Sequence, residues 1–382
     1  MTTTISLKNS EARRIILYAQ GLTKSTPFGS GPNSILKAVN QLGYVQLDTI
    51  SVIERAHHHI LFTRIPSYNT TWLEKEQFQT RKIFEYWSHA AAYLPMQDFR
   101  FSIPVMNVFR DKKDRWPDSS RKDMKLVMKR IREEGPLMSR QFESNHKSGI
   151  WWDWKPSKMA LQRLFLEGDV MVSHRDGFQR IYDLPEKIIP DSVDTNEPTL
   201  LEYYIHLIKT TLHAQGIASP KEILHLRKSD TKIFNAALHQ LQEEEKIVPV
   251  VVSEKKDYFI LSEYLNLKIK LKDKMMIMSP FDNLVIWRKR LKDIFEFDYT
   301  LECYIPAHKR IYGYFCLPVL YKDQFLGRID VKADRANGNL LIRKEYWNEN
   351  QKKLSSNNLY HEAIELFAHH NKCDNIIYSK SR

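Results

Sequence analysis

The sequence predicts an α+β protein built from tandem winged helix-turn-helix units followed by a C-terminal β-barrel-like domain. A block of helices followed by strand, turn and strand occurs twice between residues 121 and 263. After residue 275 the chain changes to short, regularly spaced β-type segments, which are typical of a small barrel or curled sheet. The 382 residues are 42% hydrophobic, so there is enough apolar material for several packed cores, and wholesale disorder is excluded.

The first 45 residues predict two helices. One covers residues 10–20 and ends at Gly21, and the other begins near Pro32 and ends at Gly43. Proline or a capping residue at the start and glycine just past the end are the expected boundaries of a helix. These helices and the segment through residues 52–60 are candidates for a third, looser copy of the repeated block.

The repeated block has the helix and strand order of a winged helix-turn-helix. The first copy predicts helices over 124–134, 138–142 and 156–166 and a hairpin over 170–186. The second predicts helices over 200–214, 220–225 and 232–243 and a hairpin over 247–263. The copies end alike, in Leu184-Pro-Glu and Leu261-Ser-Glu, which disfavours the alternative of two unrelated helical pieces.

These patterns predict four segments. They are an N-terminal winged-helix-like unit (1–120), a second winged helix (121–190), a third winged helix (191–274), and a C-terminal β-barrel with a closing helix (275–382). In the last segment, strands are expected over 285–287, 299–305, 312–320, 325–331 and 340–342, and a helix over 357–369. The acidic stretch 191–197 is the expected linker between the winged units.

The charge balance suggests a polyanionic partner. The formal net charge is +12, and residues 100–132 alone hold eleven basic and four acidic side chains. Clustered cations are typical of nucleic-acid binders, although a merely basic protein with solvated helix faces fits the charge equally well. No dinucleotide-binding or Walker A motif occurs, and three scattered cysteines support neither disulfides nor a metal cluster. With no leader-like or long apolar stretch, we expect a cytoplasmic protein that uses no membrane.

The clearest chemical pattern is the alternating segment at residues 44–49. Val45 and Leu47 face one side, and Tyr44, Gln46 and Asp48 face the other, which we expect to be presented to solvent. The Cα atoms of Gln46 and Asp48 are then about 6.6 Å apart. A carboxylate and an amide so placed can converge on one water molecule, although taken alone the pattern is far more typical of the polar edge of a solvated strand.

Several residues are candidate DNA contacts. His57 belongs to a run of three histidines, but neighbouring positions point in different directions, so we predict no metal site there. The candidates for phosphate or base contacts are Tyr44, Arg55, His57, Arg64, Lys112, Lys113, Arg115 and Arg288.

Eight blocks of the sequence, in order along the chain, resemble one family of enzymes. They begin at Glu11, Gly43, Glu85, Trp151, Gly177, Ser279, Phe297 and Gly327, and include Gly43-Tyr-Val-Gln-Leu-Asp-Thr-Ile50 and Ser279-Pro-Phe-Asp-Asn-Leu284. The chain resembles the bacterial AlkZ/YcaQ-type winged-helix DNA glycosylases. Their catalytic signature is Gln, an apolar residue, then Asp or Gln, so Gln46-Leu47-Asp48 looks like the YcaQ-like branch.

The resemblance implies a DNA repair enzyme. It implies hydrolysis of the N-glycosidic bond of N7-alkylated guanine and unhooking of interstrand crosslinks, with Gln46 and Asp48 as the catalytic residues in the N-terminal unit. It also implies three winged-helix units and a barrel around double-stranded DNA. We expect a monofunctional, monomeric glycosylase without a cofactor, associated with the nucleoid. A winged-helix transcriptional regulator without catalysis is the alternative.

Overall fold

A computed structural model describes residues 5–111, 121–142, 156–227, 229–349 and 357–379. The chain divides into two compact units. One contains the residues up to Tyr68 and those from Leu207 onward, and the other is Asn69–His206. The predicted segment 1–120 therefore contributes to both units, and the predicted linker 191–197 lies inside the second. The finer division into four segments stays a prediction.

The N-terminal part of the chain is mainly helical. Its elements are β1 (Ile5–Leu7), α1 (Asn9–Ala19), α2 (Asn33–Leu42), β2 (Val45–Gln46), α3 (Ala56–Arg64), α4 (Thr70–Glu74), β3 (Ile83–Trp87), β4 (Ala91–Pro95) and α5 (Ile103–Asp111). α1 forms because Ala12, Ile15, Ile16 and Ala19 recur at helical spacing and are all buried. Both N-terminal helices end at the expected positions.

The two copies of the repeated block have the same strand pairing. The elements are α6 (Arg121–Glu134), β5 (Leu137–Met138), α7 (Pro156–Glu167), β6 (Met171–Asp176), β7 (Gln179–Asp183), α8 (Pro185–Ile188), α9 (Leu200–Gln215), β8 (Ile217–Ala218), α10 (Pro220–Ile223), α11 (Thr231–Glu243), β9 (Ile247–Val252) and β10 (Lys255–Leu261). β5 pairs with β7, and β8 pairs with β10. In each copy the strand after the first helix thus joins the second strand of the wing, which confirms the tandem winged helices.

The C-terminal part is built around a five-stranded sheet. Its elements are β11 (Met275–Ile277), α12 (Arg288–Ile294), β12 (Cys316–Tyr321), β13 (Gln324–Asp334), β14 (Asn339–Trp347), α13 (Asn358–His370) and β15 (Asn375–Tyr378). The strands follow the order β11-β12-β13-β14-β15. The closing helix α13 packs against β11. Together, the tandem winged helices and this C-terminal sheet confirm the predicted fold class. Among the described residues, no helix has the length and apolarity needed to cross a membrane.

Two predicted strands of this part are wrong. Residues 285–287 lie in turns that lead into α12, and 299–305 are irregular. Val285 N and Ile286 N donate to the backbone oxygen of Asp282 and not to a neighbouring strand. A carboxylate beside or within each segment also accepts from backbone N–H groups. Asp282 accepts from Leu284 N, and Glu302 accepts from the N–H groups of residues 311–313.

Candidate active site

The segment with the catalytic candidates begins where α2 ends. Gly43 adopts a left-handed conformation with φ of +70°, which stops the helix and starts β2. A Cβ atom at this position would lie 2.8 Å from Cγ2 of Thr210, so there is no room for a side chain. Glycine is therefore required for the chain to turn from α2 towards Gln46.

The alternation predicts that Gln46 faces solvent, but the structure buries its side chain. Its exposed fraction is only 6%, and its Oε1 atom is buried without a hydrogen-bond partner in the described part of the chain. An unsatisfied buried acceptor costs about 1–3 kcal/mol, so most such atoms in proteins are paired. Gln46 Oε1 is therefore positioned to accept a hydrogen bond from a molecule that binds here.

Asp48 lies two residues further on and is half-buried. Its Oδ1 atom accepts a hydrogen bond of 2.8 Å from Ile50 N. Burial raises the pKa of this carboxyl group, and the N–H groups of Ile50 and Thr49 oppose that rise. A carboxylate with a raised pKa is the better proton acceptor, which suits a general base.

The residues before Gln46 are anchored by Asn283. Its side-chain amide donates to the carbonyl oxygens of Leu42, at 3.2 Å, and Tyr44, at 3.1 Å. Asn283 is completely buried and belongs to the block Ser279–Leu284. One amide thereby fixes the backbone on both sides of the turn at Gly43.

The residues after Asp48 are anchored by the C-terminal part. Ala333 N, in β13, donates to Val52 O at 2.9 Å. Glu54 N donates to the side-chain oxygen of Asn371 at 2.7 Å. The catalytic candidates thus lie on a segment that is held at both ends, which limits their movement.

Arg64 is not a DNA contact but the centre of a buried cluster. Both of its terminal nitrogens pair with the carboxylate of Asp282, at 2.6 and 2.9 Å, and both side chains are fully buried. The guanidinium also donates to the side-chain and backbone oxygens of Gln20 and to Ile60 O. Every nitrogen of the guanidinium is engaged inside the protein, so the predicted DNA contact of Arg64 does not agree with the structure.

The other candidate contacts fall into different settings. Arg288 is half-buried, donates to the carbonyl oxygens of Pro280 and Val285, and lies over the ring of Tyr299. His57 is 3% exposed, so it has little surface to offer DNA. These positions suit internal packing better than the phosphate contacts that the sequence suggested.

Tyr44 and Arg55 flank the Gln46–Asp48 segment and are half-buried. Burial raises the pKa of Tyr44 to about 12, so its hydroxyl stays protonated. Lys112, Lys113 and Arg115 lie outside the described residues.

The histidine run is part of the core. His58 bonds to the Tyr68 hydroxyl at 2.6 Å, and His59 bonds to Ile277 O at 2.8 Å. Burial lowers the pKa of each to about 4. Within the described ranges, no group of three or more His, Cys, Asp or Glu side chains could hold a metal ion.

Sequence reasoning missed the neighbours of Asp48. Cys303 and Tyr304 lie close enough that the Asp48 charge adds to the rise that burial causes in the pKa of each. These two residues stand about 255 positions from Asp48 in the sequence, so no local pattern connects them.

A family model described as DNA glycosylase AlkZ-like matches residues 39–364. The chain belongs to the AlkZ-like DNA glycosylase family. The matched range includes Gln46, Asp48 and Asn283, and membership implies DNA as the substrate. The family expected from the sequence is thereby confirmed, while the branch indicated by Gln46-Leu47-Asp48 stays a prediction.

The fold is also similar to a solved structure, the DNA glycosylase AlkZ of Streptomyces sahachiroi. The TM-score is 0.66, and the match covers 98% of this chain and 100% of that chain. The sequences are 13% identical. At that identity the likeness shows a shared fold.

Proposed function

We propose that this family member is a monofunctional DNA glycosylase that removes N7-alkylated guanine from duplex DNA and unhooks interstrand crosslinks formed at that atom. One observation carries the proposal. A buried acceptor without a partner, Gln46 Oε1, and a half-buried carboxylate, Asp48, share one segment that is anchored at both ends. The Gln46-Leu47-Asp48 pattern favours the YcaQ-like branch of the family.

The chemistry of the lesion fits such a simple site. Alkylation at N7 puts a positive charge on guanine, so the base departs with the bond electrons as a neutral molecule. What remains is to stabilise an oxocarbenium-like sugar and to supply water, as in glycoside hydrolysis generally. A site with one carboxylate and one amide is sufficient for both tasks, and no cofactor is needed.

Each residue then has a defined role. The Asp48 carboxylate lies beneath the developing positive charge of the sugar and takes the proton of the attacking water. Gln46 Oε1 accepts a hydrogen bond from the same water and holds it in line with C1′. The water oxygen forms the new bond to C1′ as the C1′–N9 bond breaks, which leaves an abasic site.

DNA binding is proposed to depend on phosphate contacts. Lys112, Lys113 and Arg115 stay candidates, as do Tyr44 and Arg55 near the catalytic segment. Affinity for undamaged duplex should then fall with salt with a slope of about −0.9 per neutralised phosphate. We propose a monomer that acts on the nucleoid in the cytoplasm.

The activity is tested on a plasmid that carries N7-methylguanine. We expect release of the free base and strand breaks that appear only after alkali treatment. A separate duplex with a nitrogen-mustard crosslink should be converted to single strands on a denaturing gel. Breaks without alkali would contradict the monofunctional assignment, and tight binding without base release would favour a winged-helix regulator.

A further inference from the structure

An irregular loop, residues 303–312, lies beside the proposed site and is closed by one carboxylate; we call it the Glu302 loop. Glu302 is 4% exposed, and its two oxygens accept from the N–H groups of Ile311, Tyr312 and Gly313 at 2.8–3.0 Å. Burial acts to raise the pKa of Glu302, but these three bonds and the Arg328 charge together outweigh it and lower the pKa. The charged carboxylate therefore clamps the two ends of the loop together.

The Glu302 loop is also fixed to the C-terminal sheet. The Arg328 guanidinium, from β13, lies 4.0 Å from the centre of the Tyr312 ring. A Cβ atom on Gly313 would lie 2.5 Å from an Asp330 oxygen, so only glycine allows this close approach. Within the loop, Arg310 Nε donates to Ile305 O at 2.7 Å. These contacts hold the loop in one conformation, so it forms a rigid platform.

This platform holds an aromatic ring in solvent next to Asp48. Tyr304 is 78% exposed, although burial of a large aromatic ring is normally favourable. The pKa of Tyr304 is raised, mainly by partial burial, and the Cys303 and Asp48 charges add to that rise, so Tyr304 lies within electrostatic range of the Asp48 carboxylate. The loop also carries the exposed polar side chain His308 and the exposed cation Lys309, which suit a surface that approaches phosphates.

We infer that Tyr304 is a positioning residue that stacks on the nucleobase next to the target nucleotide and so keeps the target sugar at Asp48. The inference rests on the proposed function for the place of the target. Three properties carry it: an exposed ring, a loop braced against movement, and a position within electrostatic range of the catalytic carboxylate. Stacking needs only the ring, so the hydroxyl is dispensable.

The test uses a probe that does not depend on excision. It is a duplex with 2-aminopurine beside a tetrahydrofuran abasic-site analogue, compared with an undamaged duplex of the same sequence. The proteins are the wild type, Tyr304→Ala, Tyr304→Phe and the control Tyr378→Ala, which removes an exposed tyrosine from β15. Fluorescence and affinity are measured on each duplex.

We expect wild type, Tyr304→Phe and Tyr378→Ala to change the 2-aminopurine fluorescence equally, and Tyr304→Ala to lose most of that change. Loss of one stacked base should weaken binding of the lesion duplex by about 5- to 150-fold. Binding of the undamaged duplex by Tyr304→Ala should stay within twofold of the wild type. A merely structural role of Tyr304 would instead weaken the binding of both duplexes.

An unchanged fluorescence response in Tyr304→Ala would overturn the inference, as would a wild type without any response. Failure of Tyr304→Phe would also overturn it, because the hydroxyl would then be the active group. If Tyr304→Ala loses the response while the wild type releases no N7-methylguanine, the stacking role stands and the proposed substrate fails.

Discussion

The Arg64–Asp282 pair and the Gln46–Asp48 segment are two polar regions of the same compact unit, but they satisfy their hydrogen bonds differently. Arg64 uses all its nitrogens on Asp282, Gln20 and Ile60 inside the protein. Gln46 keeps a buried acceptor open, and Asp48 keeps a raised pKa. On the proposed function, the closed cluster at Arg64 holds the fold, whereas the open acceptor at Gln46 is left for a bound molecule.

The largest expected effect is on stability at the closed cluster. Arg64→Ala leaves Asp282 buried and unpaired, which should lower the free energy of unfolding by about 3–5 kcal/mol. The exposed Arg343→Ala is the control and should stay within about 0.5 kcal/mol. Urea unfolding measures both. If the two variants unfold alike, Arg64 is not the structural centre that the comparison requires.

A smaller effect is expected at Asn283, which adjoins Asp282 but serves the open site. Asn283→Ala removes two hydrogen bonds to the residues before Gln46 and should cost about 1–3 kcal/mol of stability. It should also slow base release more than it weakens binding of undamaged DNA. The exposed Asn337→Ala is the control. Loss of stability without any loss of rate would show that the anchoring does not position the catalytic residues.

The smallest expected effect is a shift in pH dependence. The general base Asp48 must be ionised to accept the proton of the water. The rate of base release should therefore fall as the pH drops through the raised pKa of Asp48. The midpoint of the acid side of the pH–rate profile should therefore lie above the usual pKa of aspartate. A midpoint at the usual pKa would contradict the burial argument. Single-turnover rates measured across pH test this.

A control for unfolding is needed at low pH. The pKa of His58 and of His59 is about 4 in the folded protein, lowered by burial. Unfolding restores the usual pKa of about 6.5, so the unfolded chain binds more protons between these values. The free energy of unfolding should therefore fall as the pH drops from about 6.5 to 4. Circular dichroism at each pH shows whether the protein is still folded when its rate is measured.

The sequence predicts the elements of this fold better than the surroundings of its site. α1, α2 and both winged units follow from local periodicity and from glycines at helix ends. The burial of Gln46 and Arg64 involves distant parts of the chain. Asn283 holds the Tyr44 backbone that leads to Gln46, and Asp282 pairs with Arg64, each from more than 200 residues away. Local alternation cannot show a burial that distant residues impose.

The wrong strands in the C-terminal part have the same cause. The segments 285–287 and 299–305 have β-type composition, but Asp282 and Glu302 bind nearby backbone N–H groups and turn the chain. The second of these turns creates the loop that carries Tyr304. Tertiary hydrogen bonds thus override strand propensity where the candidate site is built.

Two variants test the open site itself. Asp48→Asn keeps the size of the side chain but removes the negative charge, so it should slow release of N7-methylguanine by about 10²-fold or more. Gln46→Ala should slow release less, because it only positions the water. Asp191→Asn, an exposed carboxylate in the other compact unit, controls for the change in net charge.

The most direct test of the central claim is the single-turnover release of N7-methylguanine from duplex DNA by Asp48→Asn at saturating enzyme, with binding followed separately by anisotropy. The account predicts a loss of about 10²-fold or more in rate at nearly unchanged affinity, because phosphate contacts elsewhere supply most of the binding. Release at the wild-type rate would contradict the account, since the segment at Gln46–Asp48 would then not be the active site.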